Sequence, residues 1–466
     1  MAGALKESRQ NVSERPTPSY QDLLDMEERP VPETLRENYN ECGRLNSEDI
    51  TVDRYLSPEY YRLEVDQMWS HVWQMACRVE QLPNVGDYIV YNVADYSLII
   101  VRSAPDEIKA YYNSCLHRGR MLCESDGHVR MFRCKFHGFT WEIDGRLRFV
   151  PGRWDFAHIK DEDFRLPEAK AGTWGGFVFI NMDPNARPLE EYLSILPRHF
   201  ERWNFEDRFL AVHVGVIIPA NWKVATEAFL ETWHVMMTHP QVMPFTGEFN
   251  SQYDVRTDLP HYSRLSIPMG IPSPVVKDQV SEKDIVEVMK WMLGRTGEDL
   301  AVPPGMTIRQ YAAQLSRERA TQTTNGRDFS KVTDSEMIDA IVYFTFPNLI
   351  LWGGYSNLVY RYRPWRDHEH ALMEVMLLPL RPIDAPTPPP APFHLLPEGQ
   401  TFSDATELGG FGPFFDQDLG NMEWVQKGMK ASHKRSLTLA DYQESQIRHF
   451  NRTLDGYISG KPPATR

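Results

Sequence analysis

Cysteine is scarce in this chain, which has five cysteines among 466 residues. They are too few, too widely spread and odd in number for the disulfide framework of a small secreted domain. We therefore expect reduced thiols that are available as metal ligands, and the candidates are Cys42, Cys77, Cys115, Cys123 and Cys134.

The chain also lacks any apolar run long enough to span a membrane, and its first residues, MAGALKESRQ, do not follow the pattern of a secretory signal. We expect no membrane contact and a cytoplasmic location. Basic residues are outnumbered, with 50 Lys and Arg against 64 Asp and Glu and a net charge of −14. This balance argues against nucleic acid as a partner, whereas a hydrophobic content of 42% is ample for compact cores.

The first part of the chain changes character twice. Residues 1–52 are polar and proline-dotted, so the sequence predicts an arm that wraps a neighbouring subunit or stays mobile. Ser57 and Pro58 suit the start of a helix, and apolar residues at helical spacing extend it to about residue 73. Between residues 84 and 182, short β-rich runs alternate with Gly, Asp and Pro, which predicts a small all-β module.

The rest of the chain mixes helical and β patterns, so the predicted fold class is α+β. A helix over 221–239 should end at Pro240, because proline disfavours the α conformation in the residue before it. A charged, helix-prone segment over 275–340 is either a lid over a pocket or an extra helical layer. The remaining predicted elements are strands at 342–352 and 358–364 and a last helical segment from about Phe415.

The β module contains a Cys-x-His and a Cys-x-x-His motif, which suit a metal. Cys115 with His117 and Cys134 with His137 supply two thiolates and two imidazoles from two short loops. A single Zn²⁺ or a Rieske-type [2Fe–2S] cluster accepts such a set, and one Cys and one His in each loop favour the cluster. Gly119 and Gly138 allow tight turns where a side chain would crowd the metal. Between the loops, Cys123 and His128 are expected to be structural or exposed.

A second group of candidate ligands lies in NWKVATEAFLETWHVMMTHP, residues 221–240. Glu231 and His234 share one face of a helix, whereas His234 and His239 can bind one ion only if the helix breaks between them. Two imidazoles and one carboxylate form the facial triad of Fe(II) oxygenases, and the carboxylate must come from elsewhere in the chain.

The stretches NSCLHRG and FRCKFHGFTWEIDG resemble the Rieske domain of ring-hydroxylating, non-haem iron oxygenase large (alpha) subunits. The resemblance continues through NWK…ETWH…THP and FFDQDLGNMEW and covers about residues 53–435. It implies that Cys115 and Cys134 hold one iron of the [2Fe–2S] cluster and that His117 and His137 hold the other. It also implies a mononuclear Fe(II) bound by His234, His239 and Asp418. Asp416 is the alternative to Asp418 as the third ligand.

Glu231 stands where many members of this family have an aspartate, and carnitine-type monooxygenases are similar in having a glutamate. In the family this acid connects an iron histidine with a Rieske histidine of the neighbouring subunit in a trimer. By this resemblance Glu231 is the predicted catalytic residue and links His234 to His137 of the next chain.

The resemblance implies an all-β Rieske [2Fe–2S] domain with its leading helix over residues 53–183. The catalytic mononuclear iron domain would occupy residues 184–466, with helices covering a large antiparallel sheet in a helix-grip or START-like fold. Nine apolar residues are predicted to line the substrate pocket, and these are Phe229, Met236, Met237, Val242, Met243, Phe346, Leu351, Phe411 and Phe415.

The implied function is that of the terminal component of an oxygenase system. O₂ and electrons from NAD(P)H, delivered by a ferredoxin, a flavin reductase or both, would hydroxylate an aromatic or other hydrophobic ring-containing substrate. The alternative is a Rieske monooxygenase that demethylates at O or N or oxidises a quaternary ammonium compound. A non-catalytic Rieske or zinc-binding protein is the remote alternative. The expected assembly is a homotrimer, with or without a separate small subunit.

Overall fold

The computed structural model describes residues 17–461 and 463. Within these residues the strands are β1 Ile50–Thr51, β2 Gln74–Arg78, β3 Asp87–Val93, β4 Tyr96–Ala104, β5 Glu107–Tyr112, β6 Gly127–His128, β7 Met131–Arg133, β8 Thr140–Glu142, β9 Leu147–Phe149, β10 Glu168–Trp174, β11 Phe177–Asn181, β12 Val212–Ile218, β13 Gln252–Val255, β14 Tyr262–Ile267, β15 Ala340–Thr345, β16 Leu349–Trp352, β17 Leu358–Trp365, β18 Asp367–Leu377, β19 His394–Leu395 and β20 Ser436–Leu437. The α-helices are Tyr20–Asp25, Glu33–Arg36, Asp53–Leu56, Pro58–Leu63, Leu189–Leu193, Leu196–Phe200, Trp222–Glu227, Val235–Thr238, Glu282–Met292, Ile308–Thr323, Asp334–Ile338, Phe411–Ala431 and Ser445–Ile458.

The N-terminal β module contains two sheets. Seven strands pair in the order β2-β11-β10-β5-β4-β3-β6, and three more pair as β7-β8-β9. Its small core includes Ile99, Val101, Phe132 and Trp141, so the predicted all-β module is confirmed. The module begins with β2, ten residues earlier than predicted from residue 84, because all five residues of β2 are buried and give no alternating pattern.

The C-terminal part is built on one large sheet. Eight strands pair in the order β13-β14-β15-β16-β17-β18-β12-β19, and all neighbours are antiparallel except β12 and β19. Phe415, Met422 and Met429 of one long helix and Phe450 and Leu454 of the last helix are buried in the core cluster shared with this sheet. The predicted α+β class is therefore confirmed.

A buried ionic cluster joins the two parts. Glu374 on β18 is fully buried and accepts hydrogen bonds from Arg361 (Nε–Oε1, 3.1 Å), Arg363 (Nη2–Oε1, 2.6 Å) and His213 (Nε2–Oε2, 2.9 Å). Burial alone would raise the pKa of Glu374, but the two guanidinium groups hold it well below its ordinary value. Arg361 also donates to the carbonyl of Ala76 on β2 (2.6 Å), so the cluster ties the sheet to the β module.

The prediction that the N-terminal arm wraps a neighbouring subunit or stays mobile is wrong for residues 17–52, because they pack on their own chain. Residues 1–16 lie outside the described range. Tyr20 and Leu35 are buried, and the Tyr20 hydroxyl lies 2.9 Å from Ser335 Oγ. The Glu27 carboxylate accepts from the backbone N–H groups of Asp334 and Ser335 at 3.0 and 2.8 Å. Isolated apolar residues within a polar, proline-containing stretch carry this docking, which composition alone does not reveal.

Three helix boundaries also differ from the predictions. The helix predicted from residue 58 ends at Leu63 and continues as a π-helical turn over Glu64–Trp69 rather than reaching residue 73 as an α-helix. The predicted helix over 221–239 is two short helices, Trp222–Glu227 and Val235–Thr238, with irregular chain between them. The long helix begins at Phe411, and a further helix, Ser445–Ile458, was not predicted. No described helix combines the length and apolarity that crossing a membrane requires.

Candidate metal centres

The two Cys and His loops lie side by side at the tip of the β module. Each loop is closed by its own backbone, because Gly119 N–H donates to Cys115 O (2.9 Å) and Gly138 N–H donates to Cys134 O (3.0 Å). The rings of His117 and His137 lie 4.7 Å apart between centroids. Both cysteines are buried, whereas His137 is exposed. The structure thus brings the four predicted cluster ligands together, with the imidazoles on the outer side.

The glycines of these loops are required for their backbone conformation. Gly119 has φ +74° and Gly138 has φ +83°, both in the left-handed region. No protein atom lies within 4 Å of where a Cβ on Gly119 would be, so the positive φ is what requires glycine among the atoms of the chain itself. Cys123 is buried, with its backbone held by Asn113, and His128 is exposed and pairs with Asp87.

A second donor set forms where the Val235–Thr238 helix meets the Phe411–Ala431 helix. His239 Nε2 lies 2.8 Å and His234 Nε2 lies 3.5 Å from the same Asp418 oxygen, Oδ1. His234 precedes the short helix and His239 follows it, where the backbone leaves the helical conformation at φ −126° and ψ 47°. The helix break that the spacing of the two histidines demanded is therefore present.

Each histidine of this set is oriented through its other ring nitrogen. His234 Nδ1 lies 2.7 Å from Glu231 Oε1, and His239 Nδ1 lies 2.7 Å from Gln417 Oε1. Burial lowers the pKa of His234, but the hydrogen bond and charge of Glu231 and the charge of Asp418 outweigh it, so the pKa is raised. With Nδ1 protonated and bonded, both rings present Nε2 to a metal, the usual arrangement of metal-binding histidines.

Glu231 reaches His234 by a turn and not by a helical face. Residues 228–234 lie outside the α-helices, and the Glu231 carboxylate also accepts from the backbone N–H of His234 (Oε2, 3.0 Å). The prediction that Glu231 and His234 share one face of a helix is therefore wrong, although the two side chains are in contact. Asp416, the alternative ligand, points elsewhere and accepts from Thr401 Oγ1 (2.8 Å) and the backbone N–H of Phe402 (2.8 Å).

The two donor sets differ in how closely their atoms gather. Among the described residues, the His, Cys, Asp and Glu side chains whose donor atoms all lie within 4.8 Å of one another are His234, His239 and Asp418. No three of the four loop ligands meet this criterion, whereas the ligands of a single tetrahedral zinc ion would. Two thiolates and two imidazoles suit a two-iron cluster with thiolates on one iron and imidazoles on the other, and the triad suits a single Fe(II).

Comparison with protein families bears on both sets. A model described as "Ring hydroxylating alpha subunit (catalytic domain)" matches residues 196–460, which is more than half of the chain, and a Rieske [2Fe-2S] domain model matches residues 72–159. The chain belongs to the ring-hydroxylating alpha subunit family. The two predicted cofactors of this alpha subunit, a [2Fe–2S] cluster and a mononuclear iron, are supported by these two domains.

Individual relatives are distant. The chain is 27% identical over 215 residues to the glycine betaine monooxygenase oxygenase subunit of Pseudomonas aeruginosa, a match to 46% of this chain and 50% of that protein. It is 25% identical over 431 residues to the biphenyl dioxygenase subunit alpha of Paraburkholderia xenovorans, covering 88% and 85% of the two chains. The chain thus spans about half the length of the monooxygenase relatives it matches.

A crystal structure of a quaternary ammonium Rieske monooxygenase superposes with a TM-score of 0.60 at 18% identity, covering 91% of this chain and 99% of that one. At this identity the likeness speaks for the fold alone.

A cavity of about 1080 Å³ adjoins the triad of the alpha subunit. Four predicted pocket residues line it, namely Phe229, Val242, Phe411 and Phe415. The other five lie outside it. Met237 is 80% exposed, Met236 and Met243 pack in a small cluster beside Val242, and Phe346 stacks on Tyr457 in the core. Leu351 faces away because side chains alternate along β16, which places Trp352 on the cavity side.

Several residues around the triad were not predicted from the sequence. Gln417 orients His239, and Phe414 stacks on the His239 ring at 4.1 Å. Both precede Asp418 in the sequence, so their proximity could have been predicted once that ligand was chosen. The charged 275–340 segment also contributes to the cavity wall, through residues 291–295 and through several residues of 315–324.

Proposed function

We propose that this chain is the terminal oxygenase component of a Rieske non-haem iron oxygenase system. The observation that carries the proposal is the convergence of two imidazole Nε2 atoms and one carboxylate beside a large, mainly apolar cavity. When bound there, iron would supply O₂ activation, a chemistry for which two histidines and one carboxylate leave open coordination positions.

The residues around the triad have defined tasks in this proposal. Glu231 holds the proton on Nδ1 of His234, and the Gln417 carboxamide oxygen does so for His239, so that each Nε2 keeps a free lone pair. Phe414 limits the rotation of the His239 ring by stacking on it. The apolar side chains Phe229, Phe411 and Phe415 exclude water from the reacting part of the substrate.

Electrons would arrive from NAD(P)H through a ferredoxin, a flavin reductase or both, at the exposed His137 side of the β module. We propose that Glu231 then connects two copies of the chain in a homotrimer. Each carboxylate oxygen of Glu231 has one bond to His234, and a carboxylate oxygen accepts more than one hydrogen bond. His137 of a second copy could therefore donate to Glu231 without displacing His234.

The substrate that the cavity favours is an aromatic or other hydrophobic ring-containing molecule. Aromatic rings border the triad, with Phe229 5.2 Å and Phe415 5.6 Å from the Tyr360 ring between centroids. A quaternary ammonium compound is the second candidate substrate class. It is favoured by the similarity to a glycine betaine monooxygenase and by aromatic faces, such as those of Trp352 and Tyr360, that can attract a cation.

The test is product analysis under ¹⁸O₂ with a surrogate reductase and a panel of aromatic, polycyclic and quaternary ammonium compounds. Two labelled oxygen atoms in a ring diol indicate dioxygenation, and one labelled atom indicates hydroxylation or demethylation. The Asp418→Ala protein is the control for oxygen that enters without the triad. If reduced, fully iron-loaded protein labels no compound above that control, the proposal is wrong.

A further inference from the structure

The cavity extends beyond the triad and also borders a buried arginine. Its lining includes His239 and Asp418 of the triad as well as Arg208 and Ser356. Its volume of about 1080 Å³ is at the upper limit of ordinary small-molecule sites, which hold about 300–1000 Å³. A molecule as small as a simple betaine would leave most of it unfilled, so the volume favours a larger ligand.

The chain between Ser356 and Tyr360 limits the distance between the arginine and the triad. The Tyr360 ring contacts that of Phe415, which lies one helical turn before Asp418. Ser356, whose carbonyl accepts a hydrogen bond from the Arg208 guanidinium, lies four residues earlier in the chain, before β17 begins at Leu358. At no more than ~3.6 Å per residue, the two positions are at most about 14 Å apart.

Arg208 is a buried charge without a counter-ion. Only 3% of the residue is exposed, and its guanidinium donates to main-chain carbonyls, including Gly354 O at 3.0 Å and Leu378 O at 3.3 Å. No carboxylate of the described chain forms an ion pair with it, and the positive charges of Arg78 and Arg327 repel it. Burial lowers the pKa of Arg208 to about 10, so the group is still positive at neutral pH.

The cavity wall carries a second arginine that has no acidic partner among the described residues. Arg319, on the helix Ile308–Thr323, is exposed at the wall, and its guanidinium donates to Leu293 O at 2.9 Å. The acids of the wall are already engaged, since Asp339 forms a bidentate pair with Arg309 (2.6 and 2.8 Å) and Glu407 binds His394 (2.6 Å). Away from the triad, the cavity therefore presents positive charge.

We propose that this cavity takes a large, mainly apolar substrate with an anionic group, a carboxylate or sulfonate, that faces Arg208 and Arg319 within about 14 Å of the part presented to the triad. This inference rests on the proposed function and narrows it. A permanent cation would be disfavoured at the arginine end, because it would meet uncompensated positive charge in a weakly polar site. The nearby aromatic rings then serve to pack the apolar body of the substrate.

Three fluorescent probes with one tail and different head groups test the charge preference in the intact holoenzyme. They are 4-(1-pyrenyl)butanoate, 4-(1-pyrenyl)butanol and 4-(1-pyrenyl)butyl-trimethylammonium, each titrated by fluorescence anisotropy. We expect the carboxylate to bind about tenfold more tightly than the alcohol, as a charge-assisted contact allows, and the ammonium to bind most weakly. An alcohol that binds as tightly as the carboxylate, or an ammonium that binds best, would overturn the inference.

Matched variants test whether Arg319 contributes to the preference for the carboxylate probe. Arg319→Gln should reduce the advantage of the carboxylate over the alcohol by about threefold or more, while alcohol binding stays unchanged. The control is Arg452→Gln, because Arg452 is also exposed and also donates to one main-chain carbonyl, Arg44 O at 3.3 Å, but lies on the last helix away from the cavity. Equal effects of the two substitutions would contradict the inference.

Arg208→Lys tests the inner charge. Lysine keeps the charge but not the fork of donors, so the carboxylate should retain part of its preference, whereas Arg208→Met should lose it. Arg208→Met leaves four carbonyls without donors and can fail to fold, in which case the probe series on the native and Arg319→Gln proteins decides the matter. These binding measurements need no turnover, so they can fail while ¹⁸O labelling succeeds, and the reverse.

Discussion

The two donor sets of this chain are built in opposite ways. The loop ligands come from one short stretch, residues 115–137, and are placed by local backbone hydrogen bonds at the exposed tip of the β module. The triad joins residues 179 positions apart, His239 and Asp418, and its donors are held by side-chain partners in a buried setting. An exposed local site suits electron exchange with other proteins, and an enclosed long-range site suits selective binding of a substrate.

The largest expected effect separates the two sets by iron content and colour. The native holoenzyme should hold about three irons per chain, two in the cluster and one at the triad. Asp418→Ala should leave about two irons and the full visible absorption of a Rieske cluster, whereas Cys134→Ser should leave about one iron and no such absorption. Both should abolish turnover. Iron analysis with visible spectroscopy checks this, and a colour loss in Asp418→Ala alone would contradict the assignment of both sets.

The contact between the β module and the large C-terminal sheet should depend on one acid, Glu374. Glu374→Gln leaves the buried Arg361 and Arg363 without a counter-charge, so the free energy of unfolding should fall by about 3–5 kcal/mol. Urea unfolding followed by fluorescence measures this loss. Glu369→Gln, at a half-buried position of the same strand, is the matched control and should have little effect. A Glu374→Gln protein as stable as the control would mean that the cluster does not join the two parts.

A second buried acid, Glu227, should make the stability of the protein depend on pH. Burial raises the pKa of Glu227 to about 7, although the Tyr55 hydroxyl (2.9 Å) and Asn451 Nδ2 (3.0 Å) donate to it. Between pH 4.5 and 7 the folded protein therefore holds a proton that the unfolded chain has released, so its stability falls as pH rises.

Relative to Glu227→Gln, which cannot titrate, the native protein should lose about 3 kcal/mol across this range. Unfolding free energies measured for both proteins at several pH values check this. Parallel pH profiles for the two proteins would show that Glu227 is ionised throughout.

Glu231, the hydrogen-bond partner of His234, should affect the coupling of O₂ consumption to product formation more than it affects iron retention. Glu231→Gln keeps an oxygen that can accept from His234 Nδ1 but removes the charge. We expect iron content and cluster absorption to be nearly unchanged and turnover to fall about 10–100-fold. Turnover with a surrogate reductase and the ratio of O₂ consumed to product measure the effect. Fast, coupled turnover in Glu231→Gln would exclude the proposed connection to His137 of a second copy.

The features that the sequence could predict are the local ones, and those it could not predict depend on contacts between distant residues. The loop ligands, the all-β module and the α+β class are local or compositional, and Cys115, His117, Cys134 and His137 could be named from spacing. The docking of Tyr20 on Ser335 and the alternation that turns Trp352 to the cavity depend on long-range packing, which no local pattern contains. Asp418 was reached only through resemblance to a family, because an acid early in a helix is ordinary by itself.

The smallest expected effect distinguishes two acids of that same helix. Asp416 accepts hydrogen bonds from Thr401 and from the backbone N–H groups of Phe402 and Ser403, so it stabilises a neighbouring turn. Asp416→Ala should lower the free energy of unfolding by about 1 kcal/mol, as the loss of a capping carboxylate does, and should leave iron content and turnover unchanged. Thermal unfolding and iron analysis beside Asp418→Ala check this. If Asp416→Ala lost one iron and Asp418→Ala did not, the triad would have to be rebuilt around the other carboxylate, against its present 2.8 Å contact with Thr401.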